Sequence, residues 1–234
     1  MPMKAELDHL VVIASTLDDG VRWCEATLGI TPGPGGSHPL MGTHNRLLRI
    51  DGPGFEYAYL EIIAVDPMAL PTRAPGLKRW FDLDDPALTK RLAQYGPQLC
   101  HWVARTPDVE AARTALRLLR IERGPVLSAS RMTPAGLLEW KITVRDDGHR
   151  LFGGALPTLI QWGAVHPVGQ MAPSAVRLQA LRLQHPQAAQ LSHALSRLGL
   201  LGDRSITVQE GPAQMQACLE TRAGLVCLGE VSIG

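Results

Sequence analysis

Four polar residues stand out because each is the single polar group on an otherwise apolar strand face. Strand alternation places Leu7, His9, Val11 and Ile13 on one face, and Tyr59, Glu61, Ile63 and Val65 on another. It does the same for Leu99, His101 and Val103, and for Leu159, Gln161 and Gly163. If these faces turn inward on one closing sheet, His9, Glu61, His101 and Gln161 converge. Two imidazoles, a carboxylate and an amide oxygen make a divalent-metal site. The nitrogens suit Zn, Fe, Ni or Mn, and the oxygens favour harder ions. Such an ion would hold two neighbouring oxygens of a substrate and stabilise an enediolate, or activate dioxygen. Glu61 is also read as a general base. Plainer readings stand beside these. A lone strand histidine is usually a satisfied core or surface group, and Glu61 between Leu60 and Ile62 fits a strand with one face in solvent.

A second cluster lies in the loop GGSHPLMGTHN, where His38, His44 and Asn45 sit beside glycines just ahead of a strand. Loops on a rigid sheet concentrate binding groups, and these side chains could hydrogen-bond a carboxylate or keto oxygen of a substrate. Equally, Thr43 and Asn45 could satisfy their own turn. Trp162, with Trp140, could line the same pocket, although a buried structural Trp is commoner. His166 lies a few residues past Gln161 and could reach the same mouth. The sequence contains no phosphate-cradling glycine loop, no G-x-S-x-G elbow and no H-E-x-x-H.

The elements that must position these residues repeat. A Val- and Ile-rich strand from Leu7 to Ile13 leads to a helix capped near Thr16, with Leu17, Val21, Cys24 and Leu28 at helical spacing and Gly29 as its stop. A Gly/Pro loop and strands at 46–50 and 57–65 follow. Residues 67–96 read as a connector with a small helix after Asp84-Asp85-Pro86. The order then restarts with a strand at 99–104 and a helix with Thr106 as N-cap and Pro107 at its first position. Strand-like runs at 130–132, 137–144 and 151–162 follow, with turns at Pro134-Ala135-Gly136 and Asp146-Asp147-Gly148. A third pass has a strand at 178–183, a helix at 186–198, and strands at 206–209, 214–221 and 225–228. The chain thus reads as one supersecondary unit repeated. Residues 1–170 hold paired βαβββ modules (5–66 and 97–165), and 171–234 a partial third βαββ module.

Bulk properties restrict the function classes. The 234 residues carry 23 basic and 22 acidic side chains, so no net field draws the chain to nucleic acid or to a membrane surface. No apolar run is long enough to span a bilayer. The Asp-His pair inside the first apolar run argues against a signal peptide, and a cytoplasmic protein is expected. The four cysteines, none in a CxxC pair, are expected as buried thiols rather than a disulfide framework.

LDHLVVIASTLDDGVRWCEATLGI resembles the opening of vicinal-oxygen-chelate modules, a strand carrying Asp-His followed by a helix ending in Leu-Gly. YLEIIAVDP is similar to their closing strand with its ligand Glu, and LCHWVARTPDVEAARTAL to the opening of the paired module. PGGSHPLMGTHNRLL and LIQWG resemble the glyoxalase-like branch, most of whose members have no assigned reaction. The resemblance covers about residues 5–170. It implies an α+β fold with a curved, barrel-like mixed sheet, helices outside, and a concave cavity. It also implies a divalent metal (Zn, Fe, Mn or Ni) on His9, Glu61 and His101. The fourth position falls at Gln161, where metal-dependent members more often carry Glu. The implied activity is a metal-dependent lyase, isomerase or dioxygenase acting on a small oxygenated metabolite. The alternative is a metal-free binding or resistance protein using the same cavity. A small-molecule partner is expected, nucleic acid and membrane are not, and the exposed edges of a half-module suggest a homodimer.

Overall fold

The computed structural model describes residues 4–133, 136–202 and 205–229. In chain order the first module is β1 (Glu6–Ile13), α1 (Leu17–Leu28), β2 (Ser37–His38), β3 (Thr43–Arg49) and β4 (Tyr59–Val65). After α2 (Pro86–Tyr95) the second is β5 (Gln98–Arg105), α3 (Val109–Leu118), β6 (Val126–Thr133), β7 (Gly136–Thr143) and β8 (Thr158–Trp162). The last segment holds β9 (Arg177–Gln184), α4 (Ala188–Arg197), β10 (Ile206–Gln209), β11 (Gln214–Thr221) and β12 (Gly224–Gly229).

Both modules join one eight-stranded curved sheet in the order β2-β3-β4-β1-β5-β8-β7-β6. Within each, the first strand runs parallel to the last, and β1 and β5 join the halves antiparallel. The central strands β1, β4 and β5 are buried on both faces. That is why ELDHLVVI, YLEIIAV and QLCHWVAR read as nearly unbroken apolar runs rather than clean alternations. One face meets the helices through Leu10, Val12, Leu60, Ile62 and Trp102. The other lines the concave interior with Val11, Ile13, Ile63, Val103 and Ile142.

The expected caps hold at α1, where Thr16 accepts from the Asp19 N–H and Gly29 closes the helix in the left-handed region at φ 68°. In the second module the cap is Asp108, accepting from the Ala111 N–H, not Thr106. The run expected as one strand at 151–162 is a 3-10 turn at Leu151–Gly154 followed by the short β8. The turn expected at Pro134-Ala135 lies outside the described residues. The third pass makes a separate sheet, β10-β9-β11-β12. Its apolar side (Leu178, Leu181, Leu183, Met215, Ala217, Leu219) joins the core under the helices, so the main body covers it. The cysteine expectation is corrected here. Cys24 and Cys100 are buried thiols, but Cys218 and Cys227 face each other across β11 and β12 and form a disulfide. Only the strand register brings these residues, nine apart, into opposition, so their sequence carries no signal for the bond.

The connector 67–96 does more than join the modules. Phe81 and Asp82 both take φ 59°, an unfavourable conformation for side-chain-bearing residues. Asp82 accepts from the Arg150 backbone N–H (3.1 Å) and Nε (2.7 Å), and pairs with His149, which fixes the bend. Trp80 and Phe81, stacked at 5.0 Å, are thereby buried in the concave interior. No helix among the described residues is long and apolar enough to cross a membrane.

Candidate functional site

Two register slips decide which polar groups reach the cavity. Leu7 pairs with Ala104 and His9 with Val103, so Asp8 is an extra residue in β1. Likewise Val11 pairs with His101 and Val12 with Leu99, making Cys100 the extra residue in β5. A bulge re-aims side chains that strict alternation would send to the opposite face. Asp8, although adjacent to His9, therefore works on the same side.

Asp8 is fully buried and receives three contacts. Its Oδ1 lies 2.6 Å from His9 Nδ1, and its Oδ2 lies 2.9 Å from both Trp162 Nε1 and His166 Nε2. Burial pushes its pKa upward, but the hydrogen bonds from His166 and His9 win, and the carboxyl titrates well below its usual range. An ionised Asp8 fixes the proton of His9 on Nδ1 and leaves Nε2 pointing at Glu61 Oε2, 3.6 Å away. The His9 ring also stacks on Tyr59, centroids 4.5 Å apart. Burial, then the charges of Asp8 and Glu61, hold the Tyr59 hydroxyl well above its ordinary pKa, so it stays protonated.

The other oxygen of Glu61 is held from β3. Asn45 Oδ1 accepts the Gly36 N–H at 2.8 Å, which assigns its amide nitrogen to the opposite side. That nitrogen donates to Glu61 Oε1 at 2.6 Å and lies 3.4 Å from His38 Nε2. His38 therefore accepts at Nε2 and donates from Nδ1 to Thr43 Oγ1 at 3.1 Å. Burial lowers its pKa to about 4 against the partial offset of Glu61, so His38 is neutral at pH 7.

Of these groups His9, His38, Asn45, Tyr59 and Glu61 line a cleft of about 30 Å³, with Trp80, Trp140, Ile160, Trp162 and Arg131 also on its lining. Two buried donors of lining residues, Arg131 Nη1 and Trp80 Nε1, have no partner. Gly36 leaves room for the Arg131 head group, since a Cβ there would lie 2.4 Å from Nη1 and push it aside. An apolar annex of about 160 Å³ adjoins the cleft, lined by Leu40, Met41, Ala129 and shared residues Trp80, Trp140 and Ile142.

Of the residues singled out in the sequence, His9, Glu61, His38, Asn45 and Trp162 share this cleft. His44 alternates to the other face of β3 and lies 3.9 Å from Asp66. The four expected metal ligands are not brought together. His101 is walled off by Phe81, whose ring is 5.1 Å from its own. Both of its nitrogens are engaged: Nδ1 lies 3.0 Å from Gly154 O, and Nε2 lies 3.0 Å from Thr158 Oγ1. Burial, then the Arg123 and Arg150 charges, keep it neutral. Gln161 points outward, where its Oε1 accepts the Val109 N–H at 3.0 Å and caps α3. The cleft-facing residues of β8 are Ile160 and Trp162, neither of which offers a metal-ligating atom. The described residues contain no group of three His, Cys, Asp or Glu side chains placed to hold a metal ion, so this donor set does not fit the expected divalent centre. Asp8, Tyr59, Trp80, Phe81 and Arg131 were not anticipated as site residues. The only advance signal among them was the Asp-His pair.

No curated protein matches the chain. Among solved structures, a hypothetical protein from Staphylococcus aureus is 14% identical, covering 90% of this chain and 88% of that one, with a TM-score of 0.62. A Streptomyces coelicolor methylmalonyl-CoA epimerase bound to 2-nitronate-propionyl-CoA is 24% identical over 69% of this chain and 96% of its own, with a TM-score of 0.41. The first likeness is one of fold, and the second is too weak to say anything of chemistry. The model of the glyoxalase-like domain family matches residues 7–199. With paired βαβββ modules meeting at β1 and β5, the chain belongs to the glyoxalase-like domain family.

Proposed function

We propose that the cleft binds a small carboxylated, oxygenated molecule and moves a proton on it, with Glu61 as base and His9 as the acceptor that supports Glu61. One observation carries the reading: His9 and Glu61, backed by the buried Asp8, line the cleft together with the unpartnered Arg131 Nη1. A buried guanidinium nitrogen without an acceptor is costly, and a substrate carboxylate supplies one. Trp80 Nε1 offers a second donor for a ligand oxygen. In the proposed step Glu61 Oε2 takes a proton from a carbon beside a carbonyl. The Trp80 Nε1–H donates to the developing oxyanion, and the proton taken up by Glu61 is shared with the free Nε2 of His9, whose Nδ1 proton Asp8 holds, before it returns to the carbon. The annex accepts an apolar extension of the ligand.

The aromatic wall of Trp80, Trp140 and Trp162 favours a second reading, a protein that binds such molecules without turning them over. One experiment tests both. Small 2-oxo and 2-hydroxy acids are screened by thermal shift, and each hit is incubated with protein in D2O and followed by proton NMR. Loss of the proton next to the carbonyl, slowed about 10²–10⁴-fold in Glu61→Gln, is the expected result. Tight binding without exchange selects the binder, and no binding by any acid sinks both.

A further inference from the structure

Behind the Trp80–Phe81 plug lies a second polar pocket, lined by His101, Arg123, Thr143, Arg145, His149, Arg150 and Thr158 among others. Arg123 is 3% exposed. Its Nη2 donates to Thr158 Oγ1, but Nε and Nη1 are buried without a partner. It makes no ion pair with a carboxylate of the described residues. The neighbouring cations have their own partners. Arg145 holds Asp147 and the Glu122 carbonyl, Arg150 holds Asp82 and the Cys100 carbonyl, and His149 holds Asp82. Nor does His101 neutralise Arg123. Its Nδ1–H goes to Gly154 O, so its Nε2 takes the Thr158 hydroxyl proton, and Thr158 in turn accepts from Arg123. Burial, then the Arg145 charge, bring the guanidinium down to about 9, which leaves it cationic at neutral pH.

An unpaired buried cation is far costlier than an unpaired neutral donor, and a water fills hydrogen bonds without cancelling charge. The cavity measures about 10 Å³. That is close to the minimum that holds one water-sized body, so a halide needs the lining side chains to give slightly, and sulfate or phosphate needs far more room.

We propose that this pocket is a binding site for one monatomic anion, of the chloride type, held by Arg123 Nε and Nη1. The site is separate from the Glu61 cleft and does not depend on the function proposed for it. Occupancy would stabilise the folded chain, because the anion binds only where the fold assembles Arg123, Thr158 and the aromatic plug.

The test uses the wild-type chain dialysed into gluconate buffer. Sodium chloride or bromide is titrated against sodium sulfate at matched ionic strength while the melting temperature is followed. The expected result is a saturable rise with both halides and none beyond the ionic-strength effect with sulfate. Arg123→Met is expected to lose the halide response. Should that variant not fold, a crystal grown with bromide gives an independent reading, through an anomalous peak within hydrogen-bonding reach of Arg123 Nε and Nη1. Equal responses to halide and sulfate overturn the proposal. So does a bromide-grown crystal with no peak there. A bromide peak without any halide-dependent stabilisation marks an adventitious ion only, and also overturns it.

Discussion

Replacing Asp8 by Asn tests the central claim about the site, that one buried carboxylate organises it. Asn keeps the volume but offers one acceptor oxygen where three donors converge from His9, Trp162 and His166. A hydrogen bond to a charged group contributes about 1.5–3 kcal/mol. Trp162 and His166 are only partly buried and can turn to water, whereas His9 is 5% exposed and cannot. The net loss should therefore be about 2–4 kcal/mol rather than the sum of three bonds. For a chain of 234 residues, at roughly 2–4 °C per kcal/mol, the melting temperature falls by about 4–16 °C. The pH dependence adds a signature. The folded carboxyl is depressed below its usual 3.8, so its contribution is full above about pH 4 and fades only as pH falls through the lower folded value. Calorimetry of both proteins from pH 7 to pH 3 measures this. A difference below about 0.5 kcal/mol at pH 7 would refute the reasoning, because an ordinary surface substitution does as much. Proton exchange on any ligand should also slow, since the amide no longer fixes the His9 tautomer.

Three further outcomes are expected. Gly36→Ala places a methyl where Arg131 Nη1 sits, so affinity for carboxylate ligands should fall about tenfold or more by calorimetric titration, roughly one weakened charged hydrogen bond. Unchanged affinity would remove Arg131 from the site. His38 is held neutral down to about pH 4 against its usual 6.5, so only the unfolded chain takes up its proton between these values. Stability is therefore full above pH 6.5 and lost as pH falls, by about 2 kcal/mol at pH 5, with His101 acting in the same direction. Urea denaturation that is flat from pH 7 to pH 5 would contradict this. Prolonged dialysis against a chelator should leave ligand affinity and exchange unchanged, because His101 and Gln161 already hold Thr158 and α3. Loss of either, restored by one divalent ion, would overturn the metal-free reading.

The sequence by itself determined the order of elements, since Gly29, Thr16 and the long apolar strands are local signals that need no partner. It also marked His9, Glu61, His38, Asn45 and Trp162, because polar side chains inside apolar strands are conspicuous without any structure. The register was beyond it. In TLIQW both alternations hold apolar residues, so nothing local tells that Ile160 and Trp162 face the cleft while Gln161 turns outward to cap a helix. The bulge that carries Asp8 to the side of His9 arises from pairing with β5, nearly a hundred residues away. The connector showed charges, prolines and a Trp-Phe pair. Only tertiary packing, with Asp82 tied to Arg150, drove that pair between Glu61 and His101. What separates the expected metal centre from the cleft observed is this long-range packing, because ligand geometry depends on which side chains meet and in what orientation, and residue types along a chain specify neither.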